Sequence, residues 1–488
     1  MKAVVVGAGI GGLSAACHLA GRGHDVTVVE RADVPGGRAG LIEAMGYRFD
    51  TGPTVLTMPD ILRATTEAAG VELESVLSLH RVDPTYRAVF ADGSELRVRA
   101  DREAMVAEIT ALAGQREADA FRGFADWLTE LYRVELANFI DVDFDSPFGI
   151  MRHPLAMARL VRLGGFRKLT AKVDAVFADE RLRRIFSFQA MYAGLSPLDA
   201  LALYGVISYM DTIAGVYFPV GGMHAVPRAL AEAATKAGTR IRYGESAERL
   251  SRSPSGRVDG VHLAGGDHLP ADVVVVNADA AAAYRLAGAD VPWRVTHGRY
   301  SPSCTVWIAG MKVAPTAGAA HHNIHFGHEW AGAFDALLRK GERMPDPSIM
   351  VTLPTKSDPD LAPHGRHIVY ALEPVPNLDG AVAWRNERSR ARDDLVARVS
   401  NLGYGDDFEL EHFTDPLDWQ AAGMEKGTPF ALAHTFSQSG PFRPSTKARR
   451  VPGMVLVGSA TRPGVGVPMV LLSGRLAADR AERVALQG

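Results

Sequence analysis

The sequence holds only two cysteines, Cys17 and Cys304. A disulfide framework is excluded, and a reduced, cytoplasmic setting is expected. No uninterrupted apolar run approaches the ~18 residues of a bilayer-spanning helix, so no transmembrane segment is expected. The first apolar stretch leads straight into a glycine-rich turn, so no signal peptide is expected either. Excess charge is also missing. The formal net charge is −3, which gives no global attraction to nucleic acid. Internal repeats and low-complexity tracts are absent. What remains is a chain of 488 residues, 47% hydrophobic and 22% charged, with the composition of a soluble enzyme and the length of two or three domains.

Ala3–Val6 reads as a buried parallel strand, and Leu13–Ala20 as a helix packed on it through Leu13, Ala16 and Ala20. Between them the spacing is Gly7-x-Gly9-x-x-Gly12, with Ile10 and Gly11 inside it. Gly7 permits a tight turn, Gly9 lets backbone approach a pyrophosphate, and Gly12 lets the helix lie close to the strand. The helix amino terminus then offers free N–H groups to phosphates. Alone, this pattern also suits a tight turn in a structural βα unit. Two neighbours favour the cofactor. Asp25–Glu30 is a second strand, and Glu30 lies 18 positions after Gly12, where a ribose hydroxyl partner belongs. Pro35-Gly36-Gly37-Arg38 follows. A nicotinamide enzyme has no need of this second glycine pair, whereas the longer FAD runs on past the first unit.

Gly7–Gly12, Glu30 and Gly36-Gly37-Arg38 together resemble the FAD fingerprint shared by amine oxidases, protoporphyrinogen oxidases and carotenoid desaturases. Ala32 stands where many members carry arginine, with Arg31 beside it. Later segments resemble one branch, the bacterial-type phytoene desaturases. They are Asp50-Thr51-Gly52-Pro53-Thr54, Tyr217–Met223, His321–Ile324, Asp358–Pro363, Pro374–Asn377, Phe442-Arg443-Pro444 and, most specifically, Val457–Gly474. Arg462 occupies a place that is often histidine in relatives. The resemblance is collinear from Lys2 to about Ala481.

It implies an α/β fold, α+β in the substrate part, with a Rossmann-type FAD-binding domain of the amine oxidase kind. That domain is discontinuous, over 1–95, 215–290 and 445–488. Residues 96–214 would form a helical, membrane-associating region, and 291–444 a mixed-sheet substrate-binding domain. The cofactor-binding set implied is Gly7, Gly9, Ile10, Gly11, Gly12, Glu30, Arg31, Gly36, Gly37, Arg38, Gly52, Pro53, Thr54, Ala247, Ala278, Gly458, Gly466, Val467, Pro468 and Met469. Strands are expected over Thr239–Tyr243, Ala247–Ser251, Val258–Leu263 and Asp272–Val276. The last block also has a physical reading of its own. Met454–Val457 is a short buried strand ended by Gly458. Gly464 and Gly466 allow close backbone approach, and Pro468 suits the first turn of a helix running from Met469 to about Leu486. Its positive end can face the edge of a flavin that gains negative charge on reduction. A carboxy-terminal packing helix is the plainer alternative.

The implied substrate is a long hydrocarbon carotenoid precursor, phytoene foremost. The implied reaction is stepwise dehydrogenation, with hydride leaving an allylic carbon for flavin N5 and a proton leaving the carbon beside it. No protein acid or base is legible, and the electron acceptor would be oxygen or a quinone. A substrate without a polar handle is held by apolar burial, at ~25 cal/mol per Å². It lives in a bilayer, which the enzyme must reach. Ser146–Val173 carries no acidic residue among Arg152, Arg159, Arg162, Arg167, Lys168 and Lys172, interleaved with Phe148, Ile150, Met151, Leu155, Met157, Leu160, Val161, Leu163 and Phe166. This suits an anionic membrane surface and a peripheral place on the inner face of the cell membrane. An amphipathic helix docked on the core fits it equally.

Four histidines, His321, His322, His325 and His328, have spacing that suits a metal, yet only Glu329 supports them, and no metal is expected. Cys17 reads as a small core residue. Asp141, Asp143 and Asp145 lack the glycine and glutamate of a calcium loop and read as a solvated turn. Trp127 and Tyr132 read equally as substrate-route or core residues. Two other carotenoid readings stay open, a desaturase of a different polyene and a saturase. So do an amine oxidase and, outside catalysis, a carrier of prenyl chains.

Overall fold

Ala3, Val4 and Val5 bury both faces of the first strand, and that places it in the middle of its sheet. In the computed structural model, which describes residues 1–144, 146–316 and 318–487, Lys2–Val6 pairs in parallel with Asp25–Val29 and with Val273–Val276. Arg240–Arg242 and Met454–Leu456 complete a five-stranded parallel sheet. Successive side chains of a strand face opposite ways, so one strand serves two cores. Ala3, Val5, Val28 and Val275 pack on the helices Ile10–Gly21, Ala225–Lys236 and Val467–Ala485. Val4, Val274 and Val276 pack on an antiparallel sheet of Ala247–Arg252, Val258–Leu263 and His268–Pro270.

Element ends differ slightly from expectation. The strands expected at Thr239–Tyr243 and Asp272–Val276 run over Arg240–Arg242 and Val273–Val276. The last helix begins at Val467 rather than Met469. Pro468 therefore falls inside its first turn, where a missing N–H costs nothing.

The second large sheet has seven strands, in the order Phe408–Thr414, Ser303–Met311, His367–Val375, Ile349–Thr352, His322–His325, Tyr86–Val89 and Glu95–Val98. All nine residues of Ser303–Met311 are buried. This sheet revises the boundary expected at residue 95. Tyr86–Val89 and Glu95–Val98 form a hairpin, and its first strand pairs in parallel with His322–His325. The hairpin thus belongs with the seven-stranded sheet. Alternating apolar residues mark it as a strand pair but do not say which sheet it joins. A small sheet of Leu56–Thr57, Val216–Pro219 and Leu79–Val82 bridges the two parts.

Residues 99–214 are mostly helical among the described residues, and they share a core with the seven-stranded sheet through Tyr86, Ala88, Leu96, Val98 and Ile324. Within Gln115–Glu135, Phe121, Phe124, Leu128 and Leu131 recur at the spacing of a helix face and are buried. Trp127 belongs to this core, its Nε1 donating to the Leu163 carbonyl at 2.9 Å. Tyr132 stacks on Tyr209, ring centroids 4.2 Å apart. Among the described residues no helix is long and apolar enough to cross a membrane.

Candidate functional site

The parallel sheet brings the carboxyl ends of its strands to one crevice, the place where open α/β sheets bind ligands. Val6, Val29, Asn277 and Val457 all open on it. Gly7 has φ +99°, the left-handed turn that leads from strand to helix. A Cβ on Gly12 would collide with the Gly7 carbonyl oxygen, so glycine there sets the helix close against the strand. A Cβ on Gly9 would lie 2.7 Å from Asn277 Nδ2. The Gly36 amide donates to the Ala8 carbonyl at 2.9 Å, and Gly9 and Gly36 form a parallel bridge. Two glycine loops far apart in their roles thus make one floor of bare backbone.

Glu30 closes the end of this floor. It is buried, and its carboxylate accepts from the amides of Ala8 at 2.7 Å and Ala32 at 3.0 Å. These bonds hold the two oxygens at the strand end with lone pairs to spare for hydroxyl donors. Arg38 reaches across to Asp279 and Ser459, joining three segments of the sequence at the middle of the crevice. Arg31 donates to the Ala422 carbonyl at 2.6 Å.

One cavity of about 1390 Å³ runs from these loops into the substrate part. Its wall takes in every residue of the expected cofactor set except Gly12, which stands behind it. The helix Val467–Ala485 points its amino terminus at the cavity, with no acidic side chain in the first turn. Farther along, the wall is made by Phe188, Met210, Ile324, Phe326, Phe334 and Leu372. Tyr370, also on the wall, donates its hydroxyl to the Gly52 carbonyl at 3.0 Å, which ties the seven-stranded sheet to the flavoprotein-like loop.

The basic and apolar segment lies along the cavity wall, with part of it in solvent. The helix Pro154–Arg162 has two apolar faces: Met157 and Leu160 line the cavity, while Leu155 is 86% exposed and Val161 stands in solvent. Ile150 and Phe166 also line it, whereas Phe148 is 77% exposed and Met151 is exposed. Arg159 pairs with Glu130 and Lys168 with Asp199, and the Lys172 ammonium lies 4.9 Å over the Trp127 ring. Arg152, Arg162 and Arg167 are exposed.

Polar groups also stand in the apolar part of the wall, and these went unread in the sequence. Asp211 accepts from Gln189 Nε2 at 3.3 Å, while the Thr212 hydroxyl beside it donates to the Ser208 carbonyl. Enclosure by protein pushes its carboxyl up to about 7. Glu135 is held far above the carboxylate range by burial alone. Among the described residues, Glu135 Oε1 and Tyr86 Oη have no hydrogen-bond partner. A signal for Asp211 was present: it is the single charged side chain between Ala200 and Pro227.

Asp141 and Asp143 correct the solvated-turn expectation, and Asp145 lies outside the described residues. Asp143 is buried between Arg462 and Arg480, at 3.5 and 2.8 Å, and Asp141 pairs with Arg475. Periodicity could not reveal partners more than three hundred residues away. The histidines separate. His321 meets Ser357, His322 meets Thr352 and His325 meets Tyr404, while His328 is exposed. Among the described residues no three histidine, cysteine or acidic side chains gather where they would hold a metal. Cys17 is core, its thiol donating to the Leu230 carbonyl and pushed up to about 12 by burial.

The cradle fits FAD. Bare backbone lies where a Cβ would intrude, a fixed carboxylate stands at the second strand, and a second glycine loop extends the floor beyond what a nicotinamide dinucleotide needs. Comparison with known proteins agrees. The family model described as flavin containing amine oxidoreductase matches residues 10–481. "Phytoene dehydrogenase" of Streptomyces griseus is 50% identical over 484 residues, 98% of this chain and 94% of that protein. The "zeta-carotene-forming phytoene desaturase" of Myxococcus xanthus is 36% identical, covering 98% and 93%. Among solved structures, an oxidoreductase from Methanosarcina mazei aligns over 97% of this chain and 99% of its own, with TM-score 0.66 and 17% identity. A putrescine oxidase bound to putrescine aligns over 99% of both chains, with TM-score 0.61 and 15% identity. These structural likenesses speak to the fold.

Proposed function

The chain belongs to the flavin containing amine oxidoreductase family, on its phytoene desaturase branch, and from that premise we propose how it binds and oxidises its substrate. It is an FAD-dependent carotenoid desaturase that dehydrogenates phytoene stepwise. Bound FAD supplies the two-electron oxidant. The observation that carries the reading is continuity: a single cavity joins the glycine floor to an apolar wall and then to the basic, apolar segment.

The protein's part is binding, alignment and exclusion of water. Amides at Gly9, Ile10 and Gly11 offer donors to the pyrophosphate, and Glu30 accepts from the adenosine ribose. Gly36, Gly37 and Arg38 would border the middle of the cofactor, and Ala247 and Ala278 would lie along its adenosine half. Gly52, Pro53, Thr54 and the helix start at Gly466–Met469 would hold the ring, where the helix dipole would stabilise negative charge. Apolar burial holds the hydrocarbon, at ~25 cal/mol per Å². A chain without polar handles slides between rounds of desaturation with no hydrogen bond to break.

The basic, apolar segment docks on an anionic membrane, on the inner face of the cell membrane. Exposed Phe148, Met151 and Leu155 beside Arg152 and Arg162 support this, because the same short segments turn their other side to the cavity. Substrate then passes from lipid to the site without crossing water. Electrons leave to oxygen or a quinone. An amine substrate is disfavoured, since the exposed Arg152, Arg162 and Arg167 beside the cavity repel a cation. Expression in cells that accumulate phytoene, followed by pigment analysis, tests the reading. Coloured polyenes are expected, and colourless extracts with unchanged phytoene would overturn it.

A further inference from the structure

Dehydrogenation removes a hydride and a proton from adjacent carbons. FAD, when bound, would accept the hydride, and the proton needs a base in the apolar part of the cavity. Two carboxyl groups stand in the apolar part of the wall, Glu135 and Asp211. They differ in their surroundings. Glu135 Oε1 has no partner among the described residues, and burial keeps the group in its neutral acid form, which cannot accept a proton. Asp211 is served by a donor. The Ser208 hydroxyl donates to Gln189 Oε1 at 3.0 Å, which turns the Gln189 amide nitrogen onto Asp211. Ser208 and Gln189 are fully buried, so this arrangement is rigid. The titratable groups that face Asp211 are the phenols of Tyr86, on the hairpin, and Tyr192, on the turn Phe188–Ala193. Both are neutral there, because burial raises them.

We propose that Asp211 is the proton acceptor of the dehydrogenation, taking the proton from the carbon next to the one that yields hydride. The C–H electron pair left behind becomes the new π bond. The two electrons of the hydride pass to the bound FAD, the oxidant of the reaction. Asp211 becomes a carboxylic acid and gives its proton to water after the product leaves. The Gln189 donor holds the carboxylate ready for the next round. The other basic groups on this wall are poorer acceptors. Burial holds the His322 imidazole at about 3 and lowers that of His434 strongly, so neither keeps a proton near neutrality.

The inference rests on the desaturase reading, and one experiment separates the two. Purified holoenzyme is mixed anaerobically with phytoene in liposomes, and loss of flavin colour is followed against pH. The wild type bleaches, at a rate that rises with pH through an inflection near 7. Asp211→Asn retains FAD and phytoene binding but bleaches about 100-fold or more slowly, as loss of a general base does, and without the inflection. Asp211→Glu restores part of the rate and the inflection. Gln189→Leu, which removes a donor to the carboxylate, moves the inflection to higher pH and decides the matter if Asp211→Asn fails to fold. A wild type that never bleaches with phytoene overturns the desaturase reading and the inference with it. A bleaching wild type overturns the inference alone if Asp211→Asn keeps its rate or inflection, or if Gln189→Leu leaves the inflection in place.

Discussion

Asp143 and Arg480 form an ion pair of 2.8 Å with both side chains almost wholly buried, joining the stretch before the basic, apolar segment to the carboxy-terminal helix. The same carboxylate faces Arg462, in the motif Val457–Gly474, and accepts from the Thr446 hydroxyl. Removing one partner of a buried ion pair leaves uncompensated charge. Asp143→Ala should cost about 3–5 kcal/mol, read as a lower urea midpoint, with the damage greatest around that segment. Unchanged stability would mean that solvent reaches this cluster.

Gly9 tests the cofactor floor. Its Cβ would lie 2.7 Å from Asn277 Nδ2, over the bridge to Gly36. Gly9→Val should fold and lose its yellow colour on gel filtration, because the side chain fills the space over the floor. A variant that keeps full flavin absorbance would put the pyrophosphate elsewhere.

The basic, apolar segment should respond to charge. Each basic residue near an anionic surface contributes about 1 kcal/mol. Replacing Arg152, Arg162 and Arg167 by glutamine should weaken sedimentation with anionic vesicles by roughly 100-fold or more and leave the melting temperature unchanged. Wild-type binding should also fall with added salt. Undiminished sedimentation would reject the docking surface.

Acid should destabilise the fold through its imidazoles. Burial holds His18, His321, His322 and His325 at about 4, 4, 3 and 4, and lowers His224 and His434 as well. Each folded value lies below the unfolded 6.5, so near pH 5 the unfolded chain binds protons that the folded one refuses. Stability from these groups is full above 6.5 and is lost as pH falls. Four carboxyls act oppositely: Asp50 held up to about 6, Asp211 to about 7, and Glu135 and Glu373 raised. The lowered imidazoles outnumber the raised carboxyls, so acid costs stability, by about 1.4 kcal/mol per pH unit for each proton the unfolded chain binds in excess. The urea midpoint should fall between about pH 6 and 4, and His325→Gln should shallow that fall. A flat profile would count against the burial of these rings.

Local pattern revealed much of the cofactor half. The first strand, its glycines, Glu30 and the terminal helix are each defined within about twenty residues, because turn, strand and helix start obey local backbone rules. The hairpin Tyr86–Val98 was harder. Its alternation marks a strand pair, while its sheet partner lies more than two hundred residues on, at His322–His325. Asp143 failed for the same reason, since its meaning rests on Arg462 and Arg480.

By itself, the sequence determined that this chain has a dinucleotide crevice, a second glycine loop and a basic, apolar segment. Spacing and side-chain chemistry along the chain suffice for that. Tertiary structure alone decided that one cavity unites them, that the segment lies along its wall, and that Asp211 stands inside it with Gln189 as donor. Those facts depend on which distant side chains meet and which are shut from water, and no period along a chain encodes either.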